Sequence, residues 1–372
     1  MKVVITGGHI SPALSVIKKL RKVSQIYFMG RKFTYEGDTV ESFEYKICQD
    51  FGIKFIEIDT GRLQRKFTKY TIPSIFRFPK GLIKSAVSLK KLMPDIVLCF
   101  GGYIGLPVCV VAYLQKIPVV LHEQTQKAGL SNTIISYFAD KVCISFESSK
   151  KYFPADKTVL TGNPVREEIF EVKENLTVPP GLKIIYITGG SGGSHFINSQ
   201  IAQIIPEILE KYAVILQTGN STAFDDFETL NKIKNNLEKD LQGRLILKHF
   251  ILPHQIGWVY KNADLVIGRS GINTVSELIV LHKKCLLIPL PHAQLGEQLD
   301  NARLVEKLGI GEYLEQKDVT PKLLVEQINK MISKNIQTSK KDTDKYVFKD
   351  SDAKIINVLK SVYEQKKAAQ KI

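Results

Sequence analysis

The residues with most chemical reach in this 372-residue chain sit in glycine-bearing stretches that follow apolar runs. The clearest is TGGSGGS, residues 188–194. It lies between the apolar run Ile184–Ile187 and a stretch with helical apolar spacing at Phe196, Ile197, Ile201, Ile204 and Ile205. Four glycines let the backbone turn sharply and approach a ligand with no side chain in the way, and the helix start that follows presents unpaired N–H groups and a positive dipole end. The expected guest of Gly190, Ser191, Gly192 and Gly193 is a phosphate or diphosphate; tight packing alone also produces such turns. No GK[ST] follows, which excludes a Walker A loop, and His195 stands at the third glycine of a dinucleotide fingerprint. The next run, Ala213–Gln217, ends in Gln217 and Thr218 rather than in an acid for a ribose hydroxyl. A nucleoside diphosphate therefore fits better than NAD.

Further along, GRSGINTVSEL (268–278) follows the run ADLVI and carries Arg269, Ser270 and Glu277, with Asn273 or Thr274 as the helix cap. A carboxylate at Glu277 can accept both hydroxyls of a ribose, or merely complement a helix dipole. Glu297, Gln298 and Asn301 open another helix, and a glutamine can both donate to and accept from sugar hydroxyls. Near the chain start, TGGHISPAL sets Gly7, Gly8 and His9 after the first apolar run; an imidazole there could take a proton from an attacking hydroxyl, or be structural. FGGYIGLP and HEQTQKAGLSN add Tyr103, Glu123, Gln124 and Asn132. The acidic triplet DTD at 342–344 lies in a charged tail, and CxxC and HExxH are missing from the sequence. Acid–base chemistry without metal or cofactor is expected.

The elements that must position these residues alternate between short β-branched runs and helical patterns in both halves, which predicts an α/β fold of two Rossmann-like, doubly wound parallel-sheet domains. Loops at the C-terminal strand ends then face a cleft between the domains. Residues 1–163 form the first domain and 164–345 the second, GNPVREE at 162–168 reads as the start of a polar linker, and the tail 346–372 is helical and returns to the first domain. The uncharged run Ile96–Gln115 has the length of a membrane span, but Gly101, Gly102, Gly105 and Pro107 divide it into strand, turn and a helix beginning near Pro107. Five widely spaced cysteines read as reduced core residues, and Met1 leads straight into an apolar strand, so a cytoplasmic location without a signal peptide is expected.

Net charge is +15, and residues 1–163 hold 24 Lys and Arg against 12 Asp and Glu, so most of the excess lies there. Between Thr60 and Pro94 stand nine basic residues and no acid, interleaved with Phe67, Tyr70, Ile72, Ile75, Phe76, Phe78, Leu82 and Ile83. Such a stretch suits an anionic membrane face or nucleic acid, or a solvated helix with a core-facing stripe. RNP and KH patterns are lacking, which argues against nucleic acid.

Taken together, TGGHISPAL, PDIVLCFGGYIGLP, PVVLHEQTQKAGLSN, TGNPVREEI, TGGSGGSHFIN, ADLVIGRSGINTVSEL and GEQLDNA resemble the MurG family from residue 1 to about 335. The resemblance implies a GT-B fold and an inverting transfer of N-acetylglucosamine from UDP-GlcNAc to the C4 hydroxyl of lipid I, giving lipid II at the inner face of the cell membrane. It implies His9 as the base, or as a residue that orients the acceptor, with Glu123 next in line as base; Gly7, Gly8, Tyr103, Gln124 and Asn132 on the acceptor side; and Arg166, Gly190, Ser191, Gly192, Gly193, Ile251, Arg269, Ser270, Glu277, Glu297 and Gln298 around the donor, with the Ile251 amide reading uracil. The chain departs from the family in its first loop, where GGH replaces the longer GGGTGGH, in HEQT for HEQN, and in Glu297 for a glutamine. A UDP-GlcNAc 2-epimerase or a glycolipid transferase on the same scaffold is the alternative.

Overall fold

The computed structural model describes residues 1–33, 41–61, 71–190, 192–219, 224–335 and 348–369, with backbone only for 71–76 and 294. Ser191, residues 62–70 of the basic stretch and the 342–344 triplet lie outside the described residues. The chain forms two compact units, Met1–Arg166 with Phe348–Ile372, and Glu167–Val347.

In the first unit the elements run β1 (Lys2–Thr6), α1 (Ile10–Leu20), β2 (Gln25–Gly30), α2 (Phe43–Asp50), β3 (Lys54–Glu57), α3 (Thr71–Leu92), β4 (Ile96–Cys99), α4 (Gly105–Leu114), β5 (Val119–Glu123), α5 (Leu130–Phe138), β6 (Lys141–Ile144) and β7 (Thr158–Leu160). The parallel sheet has the order β3-β2-β1-β4-β5-β6-β7, so chain direction reverses across the sheet between β1 and β4. Helices cover both faces: Val4, Val97, Leu121 and Val142 face one core, Val3, Ile5, Leu98 and Val120 the other. Burial on both faces is why the strands read as continuous apolar runs. The apolar run Ile96–Gln115 divides as its glycines predict, with α4 beginning at Gly105, two residues earlier than the proline suggests. No helix among the described residues is long and apolar enough to cross a membrane. All five cysteines are buried free thiols, and burial pushes Cys48 and Cys143 up to about 12.

In the second unit the order is β8 (Lys183–Thr188), α6 (His195–Leu209), β9 (Tyr212–Gln217), α7 (Asp226–Asn235), α8 (Lys239–Gly243), β10 (Leu245–Lys248), α9 (Pro253–Asn262), β11 (Ala263–Gly268), α10 (Ile272–Val280), β12 (Cys285–Leu287), α11 (Glu297–Lys307), β13 (Gly311–Tyr313) and α12 (Pro321–Ser333). Its parallel sheet is ordered β10-β9-β8-β11-β12-β13, with the reversal between β8 and β11. The final helix α13 (Ser351–Ala369) belongs to the first unit, where Ile355, Ile356 and Leu359 pack against Ala13, Ile17 and Leu20 of α1 and Lys19 meets the buried Asp352 at 2.8 Å.

The segment that reads as a polar linker is not one throughout. Thr161, Gly162, Asn163, Pro164 and Val165 are buried, the Val165 carbonyl accepts from Ser15, and a Cβ on Gly162 would stand 2.5 Å from Ser351 Oγ. Polarity there serves hydrogen bonding inside the unit rather than hydration. Beyond Arg166 the chain packs on α9 so closely that a Cβ on Gly257 would lie 1.9 Å from the Glu171 carbonyl oxygen. Gly257→Ala must therefore move backbone, and is expected to destabilise the second unit by about 2–4 kcal/mol. Denaturant melts that coincide with wild type would refute this packing.

Candidate active site

Each strand reversal brings two glycine turns side by side at the C-terminal strand ends, where ligands bind in open parallel sheets. In the first unit these are the turn after β1 and the turn after β4. Gly7 has φ +130 and its missing Cβ would lie 2.7 Å from the Phe100 carbonyl carbon, so the two backbones touch, and Gly8 N–H donates to the Gly101 carbonyl at 3.0 Å. His9 then becomes the N-cap of α1, half-buried, without a side-chain capping bond. Burial pushes its imidazole below the usual value, and the Glu123 carboxylate pulls in the opposite direction.

Glu123 ends β5 and is buried. One carboxylate oxygen accepts from the Thr125 amide at 2.9 Å and its hydroxyl at 2.7 Å; the other accepts from Asn132 Nδ2 at 2.9 Å and the Gly129 amide at 3.3 Å. Asn132 in turn accepts from the Gly102 amide at 3.1 Å. Through Asn132, Glu123 thus ties the loop after β5 to the loop after β4, and the Gly8–Gly101 bond joins the loop after β1 to that same rim. Each of its oxygens, expected to be free for a second base, already accepts two hydrogen bonds. Thr125, where the family motif has asparagine, supplies two of these bonds. Gln124 is buried beside it and its Oε1 meets no donor among the described residues. Tyr103 is half-buried, its ring 5.9 Å from the Arg31 guanidinium. Arg166, expected with the donor residues, is the last residue of the first unit.

In the second unit the packing and ligand readings of the glycine loop divide between its residues. A Cβ on Gly193 (φ +73) would stand 2.1 Å from the Thr218 carbonyl oxygen and one on Gly189 2.2 Å from the Ser194 amide nitrogen, whereas Gly190 and Gly192 face open space. Ser194 caps α6, accepting from Ile197 N at 3.4 Å, and also accepts from Arg269 Nε at 3.1 Å. Arg269 further donates to the Ile288 carbonyl at 3.0 Å, and burial lowers it to about 10, still cationic at neutral pH. A cation, a helix N-terminus and open glycine backbone therefore converge after β8 and β11. His195 is held aside, 2.6 Å from Asp226 and stacked on Phe224.

Glu277 is buried on α10, where Tyr260 donates to it at 2.8 Å. The cap of α10 is Gly271, not Asn273 or Thr274, because the helix begins at Ile272, inside the stretch the capping residues were to precede. Ser270 donates to the Gln298 carbonyl and receives Asn301 at its own carbonyl, tying the RSG turn to the start of α11. Gln298 Oε1 accepts from Leu290 N at 3.0 Å, and the half-buried Glu297 opens that helix. The Ile251 amide is already donated to Gln217 Oε1 at 3.0 Å, so it is not free to read a base. Gln217 and Tyr260 are the residues that sequence reading passed over. The available signal was a polar residue ending a strand beside the glycine-loop strand.

Residues 3–144 match the glycosyltransferase family 28 N-terminal domain and residues 184–359 its C-terminal domain. A Clostridium tetani protein named UDP-N-acetylglucosamine--N-acetylmuramyl-(pentapeptide) pyrophosphoryl-undecaprenol N-acetylglucosamine transferase is 32% identical over 98% of this chain and 99% of its own. A Bacillus cereus protein of the same name, numbered 2, is 31% identical over 95% and 98%. Among solved structures, Acinetobacter baumannii MurG aligns with TM-score 0.71 at 24% identity over 97% of this chain and 99% of that one. The UDP-GlcNAc 2-epimerase of Methanocaldococcus jannaschii aligns with TM-score 0.62 at 15% identity, over 97% and 100%. These two structural likenesses concern the fold.

Behind the first-unit loops lies His122, buried at the end of β5 with Nε2 3.2 Å from the Gly162 carbonyl and 3.2 Å from Ser145 Oγ. Nε2–H donates to that carbonyl, which leaves Nδ1 unprotonated and buried without a partner among the described residues. Burial lowers this histidine from 6.5 to about 4, with His9 pushing the same way. The unfolded chain then binds a proton that the folded chain refuses, so stability is full above pH 6.5 and falls between 6.5 and about 4, by at most about 3 kcal/mol. His122→Gln keeps a donor and removes the titration, so its stability should lose less over that interval. An unchanged difference between pH 7 and pH 4.5 in urea melts would refute it.

Proposed function

The chain belongs to glycosyltransferase family 28 and, within it, to the MurG family, and from that premise we propose that it moves N-acetylglucosamine from UDP-GlcNAc to the C4 hydroxyl of N-acetylmuramic acid in lipid I, forming lipid II. The observation that carries this reading is the end-to-end relation to chains bearing that transferase name. The geometry supports roles for particular residues. The open backbone of Gly190 and Gly192 ahead of α6, with Arg269 at its cap, suits the diphosphate of UDP; Glu277, steadied by Tyr260, suits the ribose hydroxyls.

The acceptor oxygen attacks the anomeric carbon as the bond to the departing phosphate oxygen breaks, inverting the centre. The electron pair leaves on UDP, where the N–H groups of α6 and the Arg269 charge stabilise it. The proton of the attacking hydroxyl passes to His9. Burial keeps that imidazole neutral and ready to accept near pH 7, while Glu123 stabilises the imidazolium that forms. Gln124 Oε1 offers an acceptor-side hydrogen-bond acceptor.

A lipid-linked acceptor calls for attachment at the anionic inner face of the cell membrane, and α3 has a surface suited to it. Lys80, Ile83, Lys84, Val87 and Lys91 are exposed at helical spacing, with Ile83 65% and Val87 63% accessible, while Leu82, Ala86 and Leu89 pack inward. Basic side chains around an apolar strip fit a peripheral membrane contact.

Incubation with UDP-GlcNAc and a lipid I analogue should release UDP and give the disaccharide product; epimerised N-acetylmannosamine instead would identify the epimerase alternative. His9→Ala should lower turnover by about 100-fold and leave UDP affinity unchanged. Because His9 is lowered, the wild-type rate should fall on the acid side at a pH below 6.5, and that limb should vanish in the variant. Wild-type turnover in His9→Ala rules out the base role.

Replacing Lys80, Lys84 and Lys91 with Glu should reduce co-sedimentation with phosphatidylglycerol vesicles, and raised salt should do the same to wild type. Equal binding by the variant would remove α3 from the membrane contact.

A further inference from the structure

We infer that Gln217 is a positioning residue for the donor, fixing the turn after β8 that faces the diphosphate against the loop after β10. This rests on the donor reading proposed above. β9 lies between β8 and β10 in the sheet, and Gln217 is its last residue. From there the buried side chain reaches both flanking loops: Nε2 donates to the Gly190 carbonyl at 3.1 Å, and Oε1 accepts from the Ile251 amide at 3.0 Å.

The partners fix the orientation of the amide. A carbonyl can only accept and an N–H can only donate, so a flipped amide would face like with like at both ends. Tyr186 adds a donor to Oε1 at 3.3 Å. The Tyr186 ring meets Tyr260 edge-on at 5.8 Å, and Tyr260 donates to Glu277. One buried polar layer therefore underlies the diphosphate loop, the Ile251 loop and the carboxylate suited to ribose. Gly190 makes the first of these contacts consequential. Its φ of +82 and the open space around it leave the turn with few side-chain restraints, and its carbonyl also receives the Gly193 amide at 3.2 Å. Removing Gln217 leaves the buried Ile251 amide without its acceptor and frees the turn that presents backbone to phosphate.

Gln217→Met keeps the side-chain length and removes both bonds. Calorimetry with UDP, UMP and uridine should give UDP affinity lower by about tenfold, in line with a buried group left unpaired. The preference for UDP over UMP should shrink, and KM for UDP-GlcNAc should rise while kcat stays within about threefold. A merely structural role would lower the melting temperature and leave the UDP-to-UMP ratio as in wild type. Tyr186→Phe removes a single hydroxyl from the same layer and should move the ratio in the same direction by less, which keeps the inference testable if the methionine variant does not fold. An unchanged ratio in whichever variant is folded overturns it. A wild-type chain that binds no UDP overturns the donor reading, and this inference falls with it.

Discussion

Both units depend on backbone lying directly against backbone where adjacent parallel strands end. Gly7 rests on the Phe100 carbonyl carbon and Gly268 on the Thr188 carbonyl oxygen, at separations no Cβ could occupy. These contacts let the two loops at each strand reversal leave the sheet side by side, so that side chains from different strands share one small volume. Asn132 can then reach both Gly102 and Glu123, and Arg269 can reach Ser194. A methyl group at either glycine would separate the loops before it affected any ligand. The glycines of such motifs therefore divide into those that make the scaffold and those, like Gly190 and Gly192, that leave space in front of it.

The electrostatics of the first unit follow from the same crowding. His9, His122 and Glu123 sit close enough for their charges to interact, in a region that disfavours charge. Burial lowers both histidines, and the carboxylate is tolerated because four hydrogen bonds replace its water. Burial keeps His9 unprotonated, and the nearby carboxylate favours its charged form. His122 lacks such help, and its Nε2 is committed to the Gly162 carbonyl. The two lowered histidines thus differ in that Glu123 opposes the shift at His9 alone.

The two-sheet α/β fold was legible because buried parallel strands leave continuous β-branched runs, and because glycine turns after Thr6, Phe100, Thr188 and Gly268 mark the strand ends. The motif residues were legible as types for the same reason. What could not be read was which polar atoms were already spent. Glu123 looks like a free acid in sequence, but local bonds within HEQTQKAGLSN fill it; the Ile251 amide looks available, but Gln217, 34 positions earlier, occupies it. The first depends on how one loop folds back on its own strand end and the second on strand order, neither of which periodicity encodes. The cap of α10 was misplaced for a simpler reason: Gly271 supplies the extended φ/ψ of a cap without a side-chain bond, so the polar residues after it are already helical.

The buried stretch from Thr161 to Val165 and the chain after Arg166 show why polarity alone is a poor sign of a linker. Glu174 accepts from Gln255 and pairs with His254 at 2.9 Å, its amide donates to the His254 carbonyl at 3.1 Å, and the Glu171 carbonyl lies in the space Gly257 leaves. The segment entering the second unit is thereby clamped along the first turns of α9. Gln255 Oε1 accepts from the Leu252 amide at 3.4 Å and from Lys248 at 3.3 Å, so the clamp continues into the end of β10 and the loop that holds Ile251. The position of that loop is consequently set from two sides, by Gln217 from the sheet and by the Glu171–Glu174 segment from outside. A change in either support would reach the candidate nucleotide site without touching a residue that contacts the ligand.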